Sequence, residues 1–185
     1  MQKSKIMREC ILIERERIAK RVAELGEEIT RAMGAAGIAD FDFLWLAEGA
    51  FVFAADLARK IDIPMRIMSL KVSSYGDALE SGGRPEYSWD FSVHAGRHVL
   101  LVDDVLDSGL TARAIMGEIK KSGAAGARLC VLFEKLSSAR APEIRADFTG
   151  FQIGEEFIFG YGLDCARKFR NLPDVHKIIA EDARG

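Results

Sequence analysis

HVLLVDDVLDSGLT, residues 98–111, is the stretch on which the fold turns. Val99 to Val102 are apolar on successive residues, as expected for a central strand covered on both faces. Asp103 and Asp104 are therefore expected to emerge at the carboxyl end of that strand, where open α/β sheets bind ligands. Asp107, Ser108, Gly109 and Thr111 then supply a tight turn with backbone donors and two hydroxyls. Behind the turn, Ala112 to Lys121 read as a helix that stops at Ser122-Gly123. A turn opening a helix is a ready anion site. Carboxylates beside such a cradle repel phosphate directly, so paired Asp residues make sense there against sugar hydroxyls or a divalent cation. A phosphorylated ribose satisfies both halves.

The flanking sequence extends the pattern. Ile18, Val22, Leu25, Ile29 and Met33 recur at helical spacing before Gly34, which predicts an amphipathic helix over residues 14–33 whose apolar stripe is core. Residues 43–47, 65–72, 98–102 and 129–134 read as strands, and residues 51–60 as a helix. Strands alternating with helices imply a mainly parallel sheet covered on both faces. Between Ser73 and Ser92 the chain is rich in Ser and Gly and has no sustained apolar period, and a connection that long inside a compact domain is usually functional or disordered.

With 185 residues, 49% apolar and 29% charged, the chain is long enough to bury a real core as one domain, and no linker divides it. A formal charge of -2 supplies no general pull toward nucleic acid or anionic membranes. Cys10, Cys130 and Cys165 are odd in number and widely spaced, suggesting neither a disulfide framework nor a zinc site. His94, His98 and His176 likewise lack metal-ligand spacing. No run of roughly 20 apolar residues is present, so a cytoplasmic, reducing setting is expected.

The run DDVLDSGLT closely resembles the phosphoribosyl pyrophosphate signature of type I phosphoribosyltransferases: two acidic residues, two apolar residues, then Asp, Thr or Ser, Gly, any residue, Thr. The resemblance implies an α/β fold, a mainly parallel sheet flanked by helices with a small C-terminal hood. It implies a single domain with a core over about 14–146 and a hood over about 147–185 joined by N-terminal residues. Asp103, Asp104, Asp107, Ser108, Gly109, Leu110 and Thr111 would hold the phosphoribosyl group, with Asp107 as general base. Ser73, Ser74, Tyr75 and Gly76 would begin a lid, because a ribosyl cation must be shielded from water.

Residues 147–173, DFTGFQIGEEFIFGYGLDCARKFRNLP, resemble the hood of hypoxanthine-guanine phosphoribosyltransferases. On that resemblance Phe157 would stack on a purine and Ile158 would offer its backbone to the base edge. Lys135, in the LCVLFEK run, would donate to the exocyclic oxygen of a 6-oxopurine, a preference that disfavours adenine. Asp164, counted with the purine site, would also hold magnesium on the pyrophosphate side, and Arg170 would meet pyrophosphate as a charged fork. Asp103 and Asp104 would share in binding Mg2+. The implied reaction joins hypoxanthine or guanine to phosphoribosyl pyrophosphate, giving IMP or GMP and pyrophosphate, in a homodimer or homotetramer.

Two departures stand out. Where the family's first strand ends in Leu-Lys-Gly and a small residue, this chain has Ala47, Glu48, Gly49 and Ala50, so a pyrophosphate loop formed by Glu48 and Gly49 carries an acid in place of a Lys. The acidic pair is Asp-Asp rather than the commoner Glu-Asp. The first departure leaves open a second reading, a regulator of this fold that senses nucleotide or phosphoribosyl pyrophosphate and binds RNA, which the mildly acidic charge disfavours.

Overall fold

A computed structural model describes residues 8–72, 87–136 and 144–179. The lid residues Ser73, Ser74, Tyr75 and Gly76 lie outside that set. The elements run β1 (Arg8–Ile13), α1 (Arg15–Ala35), β2 (Phe41–Ala47), α2 (Phe51–Ala58), β3 (Met65–Lys71), a 3-10 turn (Phe91–His94), β4 (His98–Leu106) and α3 (Leu110–Lys121). They continue through β5 (Gly126–Lys135), β6 (Phe148–Ile153), β7 (Ile158–Phe159) and β8 (Val175–Ile179).

Five strands form a parallel sheet in the order β3-β2-β4-β5-β6, which is the mainly parallel architecture expected from the strand-helix alternation. The period-2 geometry of its strands divides the apolar residues between two cores. Phe43, Leu100, Val102 and Leu132 point toward α1 and α2. Leu44, Leu101, Leu129 and Val131 point toward α3 and the 3-10 turn. All five residues of the predicted α1 stripe are buried, each worth about 1.5 to 3 kcal/mol relative to exposure.

Arg21 fastens α1 to the edge of the sheet, donating from Nε to the Gly150 carbonyl at 3.0 Å and from Nη2 to the Thr149 carbonyl at 2.9 Å. That covers backbone acceptors on edge strand β6. A second, antiparallel sheet in the order β1-β8-β7 brings the two chain ends together. Where it feeds α1, the buried Asp174 carboxylate accepts from the Arg15 backbone N–H at 2.9 Å.

One expectation shifts. β4 does not end at Val102 but runs on to Leu106, with Asp103 paired beside Val131. The parallel neighbour β5 extends to Lys135 and sustains the ladder, so the two acids sit within the last part of the strand rather than beyond it.

Candidate active site

The carboxyl ends of β2 and β4 open onto a cleft of about 260 Å³ lined by Leu46, Ala47, Gly49, Val72 and the run 103–112. Asp103, Asp104, Asp107, Ser108, Gly109, Leu110 and Thr111 are thereby on one surface, as the sequence led us to expect. Gly109 adopts φ 75° as the residue before α3, a left-handed conformation that glycine accepts without steric cost. Its carbonyl accepts from the Arg113 N–H at 2.8 Å, and the Leu110 N–H lies 3.4 Å from Ser108 Oγ. The first turn of α3, whose leading amides have no intrahelical acceptors, faces the cleft.

Asp103 and Asp104 are only partly exposed. The Asp103 carboxylate accepts from the Asp104 N–H at 2.9 Å, and the Asp104 carboxylate accepts from the Val105 N–H at 2.8 Å. Burial pushes the Asp103 carboxyl well above the usual carboxylate range, and the adjacent Asp104 charge pushes it further. Burial also raises Asp104, against the pull of its hydrogen bonds and of the Arg170 charge. Gly49 packs directly against this pair: a Cβ there would collide with Asp104 Oδ2. Any side chain at position 49 would force the Asp104 carboxylate to move away from the loop after β2.

Lys135 reaches the cleft through Asp107, donating from Nζ to Oδ2 at 3.0 Å. The end of β5 is thus tied to the turn between β4 and α3.

A second cluster forms beside the cleft. Arg170 donates from Nη1 to the Gly162 carbonyl at 2.7 Å and pairs through Nη2 with Asp164 Oδ1 at 2.9 Å. Asp164 Oδ2 in turn accepts from the Arg167 N–H at 2.7 Å. Tyr161, Ala166, Arg167 and Phe169 all have positive φ (50°, 52°, 62° and 70°), a concentration of left-handed non-glycine residues that suits a segment shaped for binding. Glu48, which follows Ala47 through a cis peptide, projects its carboxylate toward this cluster, 3.7 Å from Arg170 Nη2.

The candidate residues do not all meet. Phe157 is 52% exposed and Ile158 is buried in β7 opposite Lys177, and neither lines the cleft. Among the described residues, no three His, Cys, Asp or Glu side chains converge as a metal cluster, so Asp164 does not join Asp103 and Asp104 in one. Lys71 is a residue that motif reading missed. It ends β3, and its Nζ lies 4.0 Å from Glu48 Oε1. The signal for it was the parallel register, which sets Lys71 beside Ala47.

Comparison with known proteins agrees with this arrangement. Residues 13–165, well over half the chain, match the family model of the phosphoribosyl transferase domain. A hypoxanthine-guanine phosphoribosyltransferase of Bacillus subtilis (strain 168) is 36% identical over 172 residues, covering 90% of this chain and 91% of its own. A hypoxanthine phosphoribosyltransferase of Haemophilus influenzae is 32% identical over 173 residues, covering 93% and 96%. The crystal structure of a hypoxanthine-guanine phosphoribosyltransferase from Bacillus anthracis superposes with a TM-score of 0.83 at 34% identity, over 92% of this chain and 98% of that one. The chain therefore belongs to the phosphoribosyltransferase family of enzymes, in the branch that holds the hypoxanthine and hypoxanthine-guanine phosphoribosyltransferases.

Proposed function

We propose that this protein is a purine salvage enzyme that transfers the phosphoribosyl group of phosphoribosyl pyrophosphate to hypoxanthine or guanine. The observation that carries the reading is the Lys135–Asp107 ion pair at the mouth of a cleft that also holds the paired acids and the start of α3. A cation suited to a 6-oxopurine and a carboxylate suited to a proton are in contact there. In this reading the 5-prime phosphate rests on the Asp107–Thr111 turn, and the ribose hydroxyls face Asp103 and Asp104. N9 of the base attacks the anomeric carbon, the bond to pyrophosphate breaks with its electron pair leaving on oxygen, and Asp107 takes the N7 proton. On the family resemblance the base extends beyond the described cleft toward Phe157 and Ile158, the latter meeting it through its backbone.

The all-oxygen donor set of Asp103 and Asp104 suits a hard divalent cation. Two adjacent carboxylates whose proton affinity burial raises, that of Asp103 further by the Asp104 charge, fit such a cation, which favours their ionised form. Mg2+ bound there, or at Asp164 beside the pyrophosphate, would neutralise charge on the donor substrate. Free Cys10, Cys130 and Cys165 suit a cytoplasmic protein. Among the described residues, no helix is long and apolar enough to cross a membrane.

The test is a spectrophotometric assay of nucleotide formation from hypoxanthine, guanine, xanthine and adenine with phosphoribosyl pyrophosphate and magnesium. Turnover on the 6-oxopurines is expected, and Asp107→Asn should cut it by roughly 100-fold while leaving the fold intact. Absence of turnover on all four bases would reject the reading. An Asn variant with wild-type turnover would reject the role given to Asp107.

A further inference from the structure

Glu48 stands between two cations supplied by different parts of the fold. Its Oε2 is 3.7 Å from Arg170 Nη2, and its Oε1 is 4.0 Å from Lys71 Nζ. Arg170 comes from the C-terminal segment beside the cleft, where Gly162 and Asp164 hold it. Lys71 comes from the end of β3, beside the strand that leads into Glu48. Both separations are too long for hydrogen bonds, and the Glu48 side chain is 66% exposed. These are loose, water-screened pairs, so ligand can displace the carboxylate at small cost.

We propose that Glu48 is a built-in counter-anion: in the free enzyme it neutralises Lys71 and Arg170, and the pyrophosphate group of the donor substrate must displace it to reach them. The inference rests on the phosphoribosyltransferase reading above. The charges make the case. In the ion pairs that join them, Arg170 and Lys71 are balanced by Asp164 and Glu48, so these four side chains sum to zero charge, and without Glu48 the other three carry one net positive charge. Glu48 therefore weakens attraction for any ligand bearing pyrophosphate, and it speeds the parting of pyrophosphate once the bond to ribose has broken. It has no such effect on the nucleotide product, whose only phosphate sits on the Asp107–Thr111 turn. A residue that merely shaped the loop would affect every ligand together. One that helped hold a cation beside Asp164 would strengthen pyrophosphate binding, which is the opposite sign.

The experiment measures dissociation constants of the full-length protein for phosphoribosyl pyrophosphate, pyrophosphate and inosine monophosphate, each with magnesium, in wild type, Glu48→Gln and Glu48→Ser. Thermal melting checks that both variants fold. Both should bind the two pyrophosphate-bearing ligands about 3- to 5-fold more tightly than wild type, with affinity for inosine monophosphate unchanged. Unchanged or weaker pyrophosphate binding, or equal strengthening of all three ligands, overturns the inference while leaving the enzyme assignment standing. A wild-type protein that binds none of the three overturns both.

Discussion

Asp42, near the start of β2, and Asp103 with Asp104, late in β4, are carboxylates at opposite ends of one parallel sheet, and burial has opposite outcomes for them. Burial would raise the Asp42 carboxyl, but hydrogen bonds from Arg66, His94 and Arg97 outweigh it and hold the group at about 2. Arg66 donates to both carboxylate oxygens at 2.7 and 2.6 Å, Arg97 Nε donates at 2.6 Å, and His94 Nδ1 lies 2.7 Å away. Trp89 Nε1 is 3.4 Å from the other ring nitrogen of His94. Since indole can only donate, the His94 proton belongs on Nδ1, facing Asp42. At the far end, Asp103 and Asp104 have backbone donors and each other, and burial raises both. One acid has been closed by the fold, and the other pair has been left for a ligand to complete. Partners, more than depth, separate a structural carboxylate from a functional one.

The sharpest way to break this contrast is to remove the closed acid. Asp42→Asn takes the charged partner from buried His94 and from Arg66 and leaves Arg97 only Asp40, and should cost about 3 kcal/mol in urea unfolding while turnover per folded molecule stays at the wild-type value. A loss of turnover beyond the loss of folded protein would place Asp42 in the chemistry. The acid limb of stability gives a smaller effect of the same origin. The folded carboxyl titrates near 2 and the unfolded one near its ordinary 3.8, so the stabilisation is complete above about pH 4 and disappears as pH falls toward 2. Wild type should lose about 2 kcal/mol from this group over that window, and Asp42→Asn should lack that part of the slope.

The two ends were unequally legible in the sequence. Residues 98–111 could be read because strand, acids and turn are contiguous, and local chemistry sets each of them. The α1 stripe and strands β2 to β5 were legible because their apolar residues follow the helical period or run together as in a covered strand. The Asp42 network was not, because Asp40, Asp42, Arg66, His94 and Arg97 are scattered and each alone reads as a solvated surface group. Strands β1, β6, β7 and β8 escaped for a related reason: they are short, and mixed residues such as Glu9, Cys10, His176 and Lys177, or the Thr149-Gly150 pair in β6, give no clean alternation. The hood motif gave Asp164 and Arg170, but the chain between β2 and β3 had to fold before Lys71 could be seen beside Glu48. Long-range pairing, not composition, carries that information.

The most direct test of the contrast is to measure the melting temperature and the turnover of Asp103→Asn together, at pH 7.5 and without ligand for the melt. Because the folded Asp103 carboxyl is raised, the fold favours its protonated form, and stability falls as pH rises from the unfolded value toward the folded one. A neutral amide removes that burden. We predict that Tm rises by about 2 to 4 °C while turnover falls about 10-fold or more. A fall in Tm would contradict the account, because it would mean that Asp103, like Asp42, is held there for the fold.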